Sequence, residues 1–139
     1  MNQTKILALI LAAGKGTRMK SNIPKCLNLV FKKPILSWLL DSFRKNHIDL
    51  GIIINPLDEK YFIKYKDKVN FIYQNEPLGT GHAVKQAKKE IYQYDQVFVF
   101  VGDSPFVNHI ILKKMLNDHK SNLSDCTILT SLFNEKKFP

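Results

Sequence analysis

The chain has 139 residues, 45% of them hydrophobic, and carries 21 Lys and Arg against 12 Asp and Glu for a formal net charge of +9. That length suits one domain with its own core, the apolar content excludes a disordered chain, and no apolar run is long enough to cross a bilayer. The basic balance permits polyanion binding, but the lysines are scattered from Lys60 to Lys114 with no nucleic-acid motif beside them; nucleic acid and membrane are therefore not expected as partners, and a general attraction to anions such as nucleotides is.

The segment Met1–Lys5 has no basic cluster ahead of the apolar run that follows, so Lys5–Leu11 reads as a strand buried on both faces rather than as a signal peptide. Ala12–Lys33 reads as loop. It holds Gly14 and Gly16 with the cations Lys15, Arg18, Lys20 and Lys25 in or beside it. Glycines let a backbone approach closely and turn its N–H groups to an anion, and cations neutralise what those groups cannot. Pro34 opens a helix whose inward stripe is Ile35, Trp38, Leu39 and Phe43, with Trp38 as a core anchor.

Leu50–Asn55 is a second strand ended by Pro56, followed by a short helix from Asp58 to about Lys66. Val69–Gln74 is the third strand. The loop N-E-P-L-G-T-G-H leads into a helix from about His82 to Tyr92 with Ala83, Val84, Ala87 and Ile91 inward. Gln96–Val101 is a fourth buried strand, ending in G-D-S-P. Asn108 is placed to cap a helix reaching about Lys120, and Cys126–Phe133 reads as a fifth strand. Cys26 and Cys126 form no C-x-x-C pair and read as ordinary thiols of a cytoplasmic protein.

Alternating strands and helices without repeats predict an α/β fold: a three-layer αβα, Rossmann-like, doubly wound and mostly parallel sheet. In the strand order 3-2-1-4-5, the first and fourth strands meet at the switch point, where ligands bind beyond the carboxyl ends. The glycine-rich basic loop and Asp103 follow those two strands.

The first loop lacks the G-x-x-x-x-G-K-[ST] of a P-loop, and Met19 stands where the dinucleotide fingerprint needs its third glycine. A P-loop hydrolase and a hydride-transfer enzyme are both disfavoured. Asp103 alone reads equally as a turn residue and as a metal ligand; opposite a basic loop it favours Mg²⁺, which takes one or two carboxylates plus phosphate oxygens. Gln74, Gly79 and Thr80 read either as a site for a flat base or as an ordinary turn with Thr80 capping the helix. His82 has no carboxylate partner in sequence and receives no catalytic role. His47, His109 and His119 show no metal-ligand spacing.

Three motifs in order, L-A-A-G-K-G-T-R-M-x(5)-P-K from Leu11 to Lys25, Q-N-E-P-L-G-T-G-H-A from Gln74 to Ala83 and V-G-D-S-P from Val101 to Pro105, resemble the sugar-phosphate nucleotidyltransferases, and among them those that uridylylate N-acetylglucosamine 1-phosphate. The resemblance implies transfer from UTP to that sugar phosphate, giving UDP-N-acetylglucosamine, a cell-wall precursor, and pyrophosphate. It implies that the backbone at Leu11, Ala12, Ala13 and Gly14 holds the nucleotide, that Arg18 stabilises the leaving pyrophosphate and Lys25 the phosphates. It further implies that Gln74 with Gly79 and Thr80 reads uracil and that Asp103 ligates Mg²⁺. The residues agree with such chemistry: a sugar phosphate already carries its nucleophilic oxygen, so positioning and charge stabilisation suffice and no triad is needed.

Cys26 and Ser104 depart from the family's usual residues. Pro139 falls where that family continues into its sugar-binding part, its second metal ligand and a C-terminal acetyltransferase β-helix. The resemblance thus implies residues 1–139 as the N-terminal, nucleotide-binding part of a nucleotidyltransferase domain, with a second chain supplying the rest. The alternatives are a non-catalytic nucleotide-binding module and a transferase for another sugar phosphate. A sheet ending at Cys126–Phe133 is also expected to expose an edge that invites association.

Overall fold

Six apolar residues in a row, Ile6–Leu11, form the first strand, β1, and their burial explains the run. Ala8, Ile10 and Ala12 enter one core cluster and Leu9 and Ala13 the other, on opposite faces of the sheet. Successive strand residues point to opposite faces, so a strand covered on both sides has no position for a polar side chain. The computed structural model describes residues 4–14 and 23–131. Lys15, Gly16, Arg18, Met19 and Lys20 of the first loop lie outside the described residues.

After a 3₁₀ turn at Lys25–Leu27, a two-stranded antiparallel hairpin pairs β2 (Leu29–Val30) with β3 (Lys33–Pro34). Helix α1 (Ile35–Arg44) follows directly. Strand β4 (Asp49–Ile54) leads through a 3₁₀ turn into the single-turn helix α2 (Glu59–Phe62) and a further 3₁₀ stretch, Ile63–Lys68. The remainder is β5 (Asn70–Tyr73), α3 (Thr80–Gln86), α4 (Lys88–Ile91), β6 (Gln96–Val101) and α5 (His109–Ser121). The main sheet has the order β5-β4-β1-β6, every pair parallel. This is the expected 3-2-1-4 arrangement, with β1 and β6 adjacent at the switch point. Side chains from α1, α2 and α5 fill the cluster on one face, and those from α3 with Ala87 fill the other.

Four local readings change, the first being the single helix expected from about His82 to Tyr92, which is broken at Ala87 into α3 and α4. The buried stripe of α1 is Leu36, Leu39, Leu40 and Phe43. Trp38 is half-buried; its Nε1 donates to the Val30 carbonyl at 2.9 Å and the Lys33 ammonium lies 4.1 Å from its ring. Trp38 therefore pins the β2–β3 hairpin to α1 instead of anchoring the core. The helix is apolar through two turns, so spacing alone does not choose between stripes one residue apart. The segment expected as one helix from Asp58 to Lys66 is a short α turn between 3₁₀ turns.

Residues 126–131 form no strand; 132 and 133 lie outside the described residues. β-forming side chains need a backbone partner, and among the described residues no strand pairs with this segment. Helix α5 ends with Asn122 and with Leu123 at φ 48°, and the Ser124 N–H donates to the His119 carbonyl. His119 Nδ1 and Thr127 Oγ1, 2.9 Å apart, hold the chain beside α5. A gap of about 520 Å³ separates residues 125–129 from β6. Among the described residues β6 is thus the outer strand of its side, with Val99 and Val101 exposed.

Phe43 carries the contact between α1 and β6. Its ring meets Phe98 and Phe100 edge-on, at centroid distances of 5.5 and 5.6 Å. Phe43→Ala should cost about 3–5 kcal/mol, read as a lowered midpoint in urea unfolding followed by circular dichroism; an unchanged midpoint would contradict this packing.

Cys26 is buried and Cys126 exposed. Burial pushes the Cys26 thiol up from 9.0 to about 12. The contribution of this group to stability is intact below pH 9.0 and is lost as pH rises toward 12, because the unfolded chain ionises first. A disulfide reagent at pH 8 should titrate Cys126 alone in the native chain and both thiols after unfolding; equal native reactivity of the two would refute the burial of Cys26.

Candidate functional site

The carboxyl ends of β1, β6 and β5 are each hydrogen-bonded to an adjacent strand one step beyond the strand itself. The Ala12 N–H donates to the Ile53 carbonyl at 2.8 Å, the Gly102 N–H to the Leu11 carbonyl at 2.9 Å and the Gln74 N–H to the Ile54 carbonyl at 2.9 Å. The start of the first loop, the G-D turn after β6 and the residue after β5 are therefore held at one end of the sheet. Gly102 suits the close approach there: a Cβ on it would lie 3.2 Å from the Leu11 carbonyl oxygen and 3.3 Å from the Cβ of Cys26, so a neighbour would have to give by a few tenths of an ångström.

These ends surround a cleft of about 270 Å³. Leu11, Ala12, Ala13 and Gly14 form the wall after β1, and Lys25 with Cys26 the wall beside it. Gln74, Pro77, Gly79, Thr80 and Ala83 line the side given by β5 and α3. Val101, Gly102 and Asp103 complete it from β6. Every residue that the sequence singled out for a site lines this cleft except Arg18, which lies outside the described residues.

Lys25 opens its 3₁₀ turn directly after Pro24, and its Nζ donates to Asp103 Oδ2 at 2.6 Å across the cleft. The side chains keep 46% and 33% of their surface exposed, so this pair adds little to stability. Its importance is placement: among the described residues, the cation and the carboxylate that line the cleft face each other. Asp103 is not a helix cap, because Asn108 caps α5, its Oδ1 accepting from the N–H groups of Ile110 and Ile111 at 3.0 Å.

The donor set fits a divalent cation held jointly with a ligand. One carboxylate is present and already receives a positive charge, while the described residues contain no group of three or more His, Cys, Asp or Glu able to hold a metal alone. A hard cation such as Mg²⁺ at one carboxylate completes its shell with phosphate oxygens and water.

Gln74 is 3% exposed. Its Nε2 donates to the Gly79 carbonyl at 3.2 Å and lies 2.9 Å from His82 Nδ1. His82 Nε2 lies 3.0 Å from the side-chain amide of Gln86, one turn further along α3. Gly79, at φ +101°, is in a conformation that disfavours a side chain, and it caps α3 where Thr80 was the alternative. His82 is the residue that sequence reasoning set aside. Its partner is an amide eight positions back, and only the turn at Gly79 brings them together; the i, i+4 spacing to Gln86 was the available signal. Glu76 is exposed and its side chain makes no bond among the described residues.

A family model described as the MobA-like NTP transferase domain matches residues 8–136. The bifunctional protein GlmU of Thermosipho melanesiensis is 37% identical over 127 residues, covering 89% of this chain and 27% of that protein. Solved structures share the fold. Rv0371c from Mycobacterium tuberculosis H37Rv aligns with a TM-score of 0.72 at 19% identity over 87% of this chain and 63% of that one; a manganese complex of Rv0371c is also known. UDP-glucose pyrophosphorylase from Acinetobacter baumanii aligns with a TM-score of 0.71 at 20% identity over 86% and 54%. The chain spans less than a third of the length of the GlmU protein it matches. With residues 8–136 matched, the chain belongs to the MobA-like NTP transferase domain family.

Proposed function

We propose that this chain forms the nucleotide side of a uridylyl-transfer site, which takes UTP and a sugar 1-phosphate, N-acetylglucosamine 1-phosphate in the first instance, and yields the UDP-sugar and pyrophosphate. One observation carries the reading: the phosphate-side residues Leu11–Gly14 and Lys25, the base-side residues Gln74, Gly79 and Thr80, and Asp103 line a single cleft at the β1–β6 switch point. The likeness to GlmU over 89% of this chain supports UTP as the donor.

In this reading the backbone N–H groups after β1 and the Lys25 ammonium bind the triphosphate, and Arg18 meets charge that develops on the departing pyrophosphate. Asp103 would hold Mg²⁺ together with phosphate oxygens; bound there, the cation neutralises phosphate charge and orients the group transferred. Lys25, released from Asp103, turns its charge to the same phosphates. The sugar phosphate supplies its own anionic nucleophile, so orientation for in-line displacement is the main requirement. Residues 1–139 act as the nucleotide-binding part of the domain in the cytoplasm, and the sugar-binding part comes from outside these residues. A nucleotide-binding module without turnover is the second reading, favoured by the single carboxylate among the cleft residues.

Calorimetric titration with UTP and Mg²⁺ should give saturable heat. Asp103→Ala and Lys25→Ala should each weaken binding roughly tenfold, the scale of a lost charge-assisted hydrogen bond. Absence of heat at millimolar UTP would overturn the nucleotide site.

A coupled pyrophosphate-release assay separates the two readings. The chain alone should release little or no pyrophosphate from UTP and N-acetylglucosamine 1-phosphate. Sustained release by the chain alone would remove the need for a second chain, and release that stays absent when a sugar-binding partner is added would favour the binding module.

A further inference from the structure

We infer that His82 is a positioning residue that locks the Gln74 amide so that only its oxygen faces the cleft, making the site selective for a base that offers a ring N–H donor. The inference rests on the nucleotide reading above and adds to it the residue that sets base choice.

The amide orientation follows from an unambiguous partner. The Gly79 carbonyl can only accept, so the amide atom 3.2 Å from it is Nε2. The second Nε2 hydrogen is directed at His82 Nδ1, 2.9 Å away. That nitrogen must accept, so His82 is neutral and carries its proton on Nε2. Gln86 Nε2 is placed 3.0 Å from His82 Nε2; two N–H donors cannot face each other, so with His82 protonated at Nε2 the exposed Gln86 amide is assigned the flipped orientation, in which its oxygen accepts. Both Gln74 donors are consumed. Gln74 Oε1 accepts nothing from the described residues, yet it is not among their sealed, unpartnered polar atoms, which are Arg44 Nη2 and Gln96 Oε1. With both donors consumed, Oε1 is the amide atom left for a ligand in the cleft that Gln74 lines.

An acceptor-only group discriminates between pyrimidines. Uracil presents a donor at N3, whereas cytosine presents an acceptor there, and two facing acceptors leave both unpaired in a desolvated site. Were His82 unable to accept, nothing but the Gly79 carbonyl would oppose rotation of the Gln74 amide, and its donor edge would be open to the cleft. The side chain that decides the base then never touches it.

The test uses the full chain and has two arms. Side-chain ¹⁵N NMR of the four histidines, with His82 assigned by its loss in His82→Asn, should find neutral His82 protonated at Nε2. The Nδ1–H tautomer would overturn the inference. Titration with UTP and with CTP should show wild type preferring UTP. His82→Ala should lower UTP affinity about tenfold, as expected for a displaced hydrogen bond, and narrow the preference over CTP. His82→Asn, whose Oδ1 stands in for Nδ1, should restore most of both. Equal binding of UTP and CTP by wild type, unchanged selectivity in His82→Ala, or a His82→Asn no better than His82→Ala would each refute the positioning role. Failure of wild type to bind either nucleotide, with the Nε2–H tautomer found, would instead remove the nucleotide reading and the base-reading role with it.

Discussion

The hydrogen bonds that continue the sheet past its strands control the rest of this structure. Ala12 and Gly102 are no longer in strands, yet their N–H groups are bound to the carbonyls of Ile53 and Leu11 at 2.8 and 2.9 Å. A loop that leaves a strand is free in direction after its first residue. Here the first residue on each side is still pinned to the neighbouring strand. Gly14 and Asp103, one or two residues on, inherit a position set by the sheet rather than by the loops. Rigid support of this kind lets short polar segments present groups with small positional error.

The same constraint explains the composition near the cleft. Ala12, Gly102 and Cys26 are small because the end of β1, the 3₁₀ turn and the G-D turn converge on one spot. A Cβ on Gly102 would contact backbone and side chain within 3.3 Å. The buried Cys26 thiol, held up at about 12, acts there as a small apolar filler and not as a nucleophile. The charged pair Lys25–Asp103 stands at the exposed rim, where separating the partners is inexpensive. A cleft that holds its cation and carboxylate together can release both to a ligand carrying phosphates and a metal, at small cost in protein stability.

Much of the fold was readable because its signals are local. The apolar run of β1, the Q-V-F-V-F-V of β6 and the Asn108 cap each depend on residues within a few positions, and each is found where expected. The order of four strands followed from alternation and from the handedness of crossovers. The readings that changed needed distant information. Trp38 and Leu36 are both apolar residues on one helix, and only the arrival of the β2–β3 hairpin made Trp38 its clasp. The T-I-L-T segment after Cys126 has strand-forming side chains, but the turn after α5 and the contact of His119 with Thr127 keep it off the β6 edge.

The sequence by itself determined the α/β class, the four strands of the main sheet and the three loop motifs, since periodicity and turn chemistry are short-range properties. It also named nine of the fourteen residues that line the cleft. Tertiary structure alone decided how those residues meet. Lys25 and Asp103 are 78 positions apart and make one ion pair; Gln74 and His82 belong to one motif, but the left-handed turn at Gly79 sets which amide atom faces which ring nitrogen. A residue's type is carried by the chain, whereas the direction of its hydrogen bonds is fixed only when the backbone has brought the partner to it.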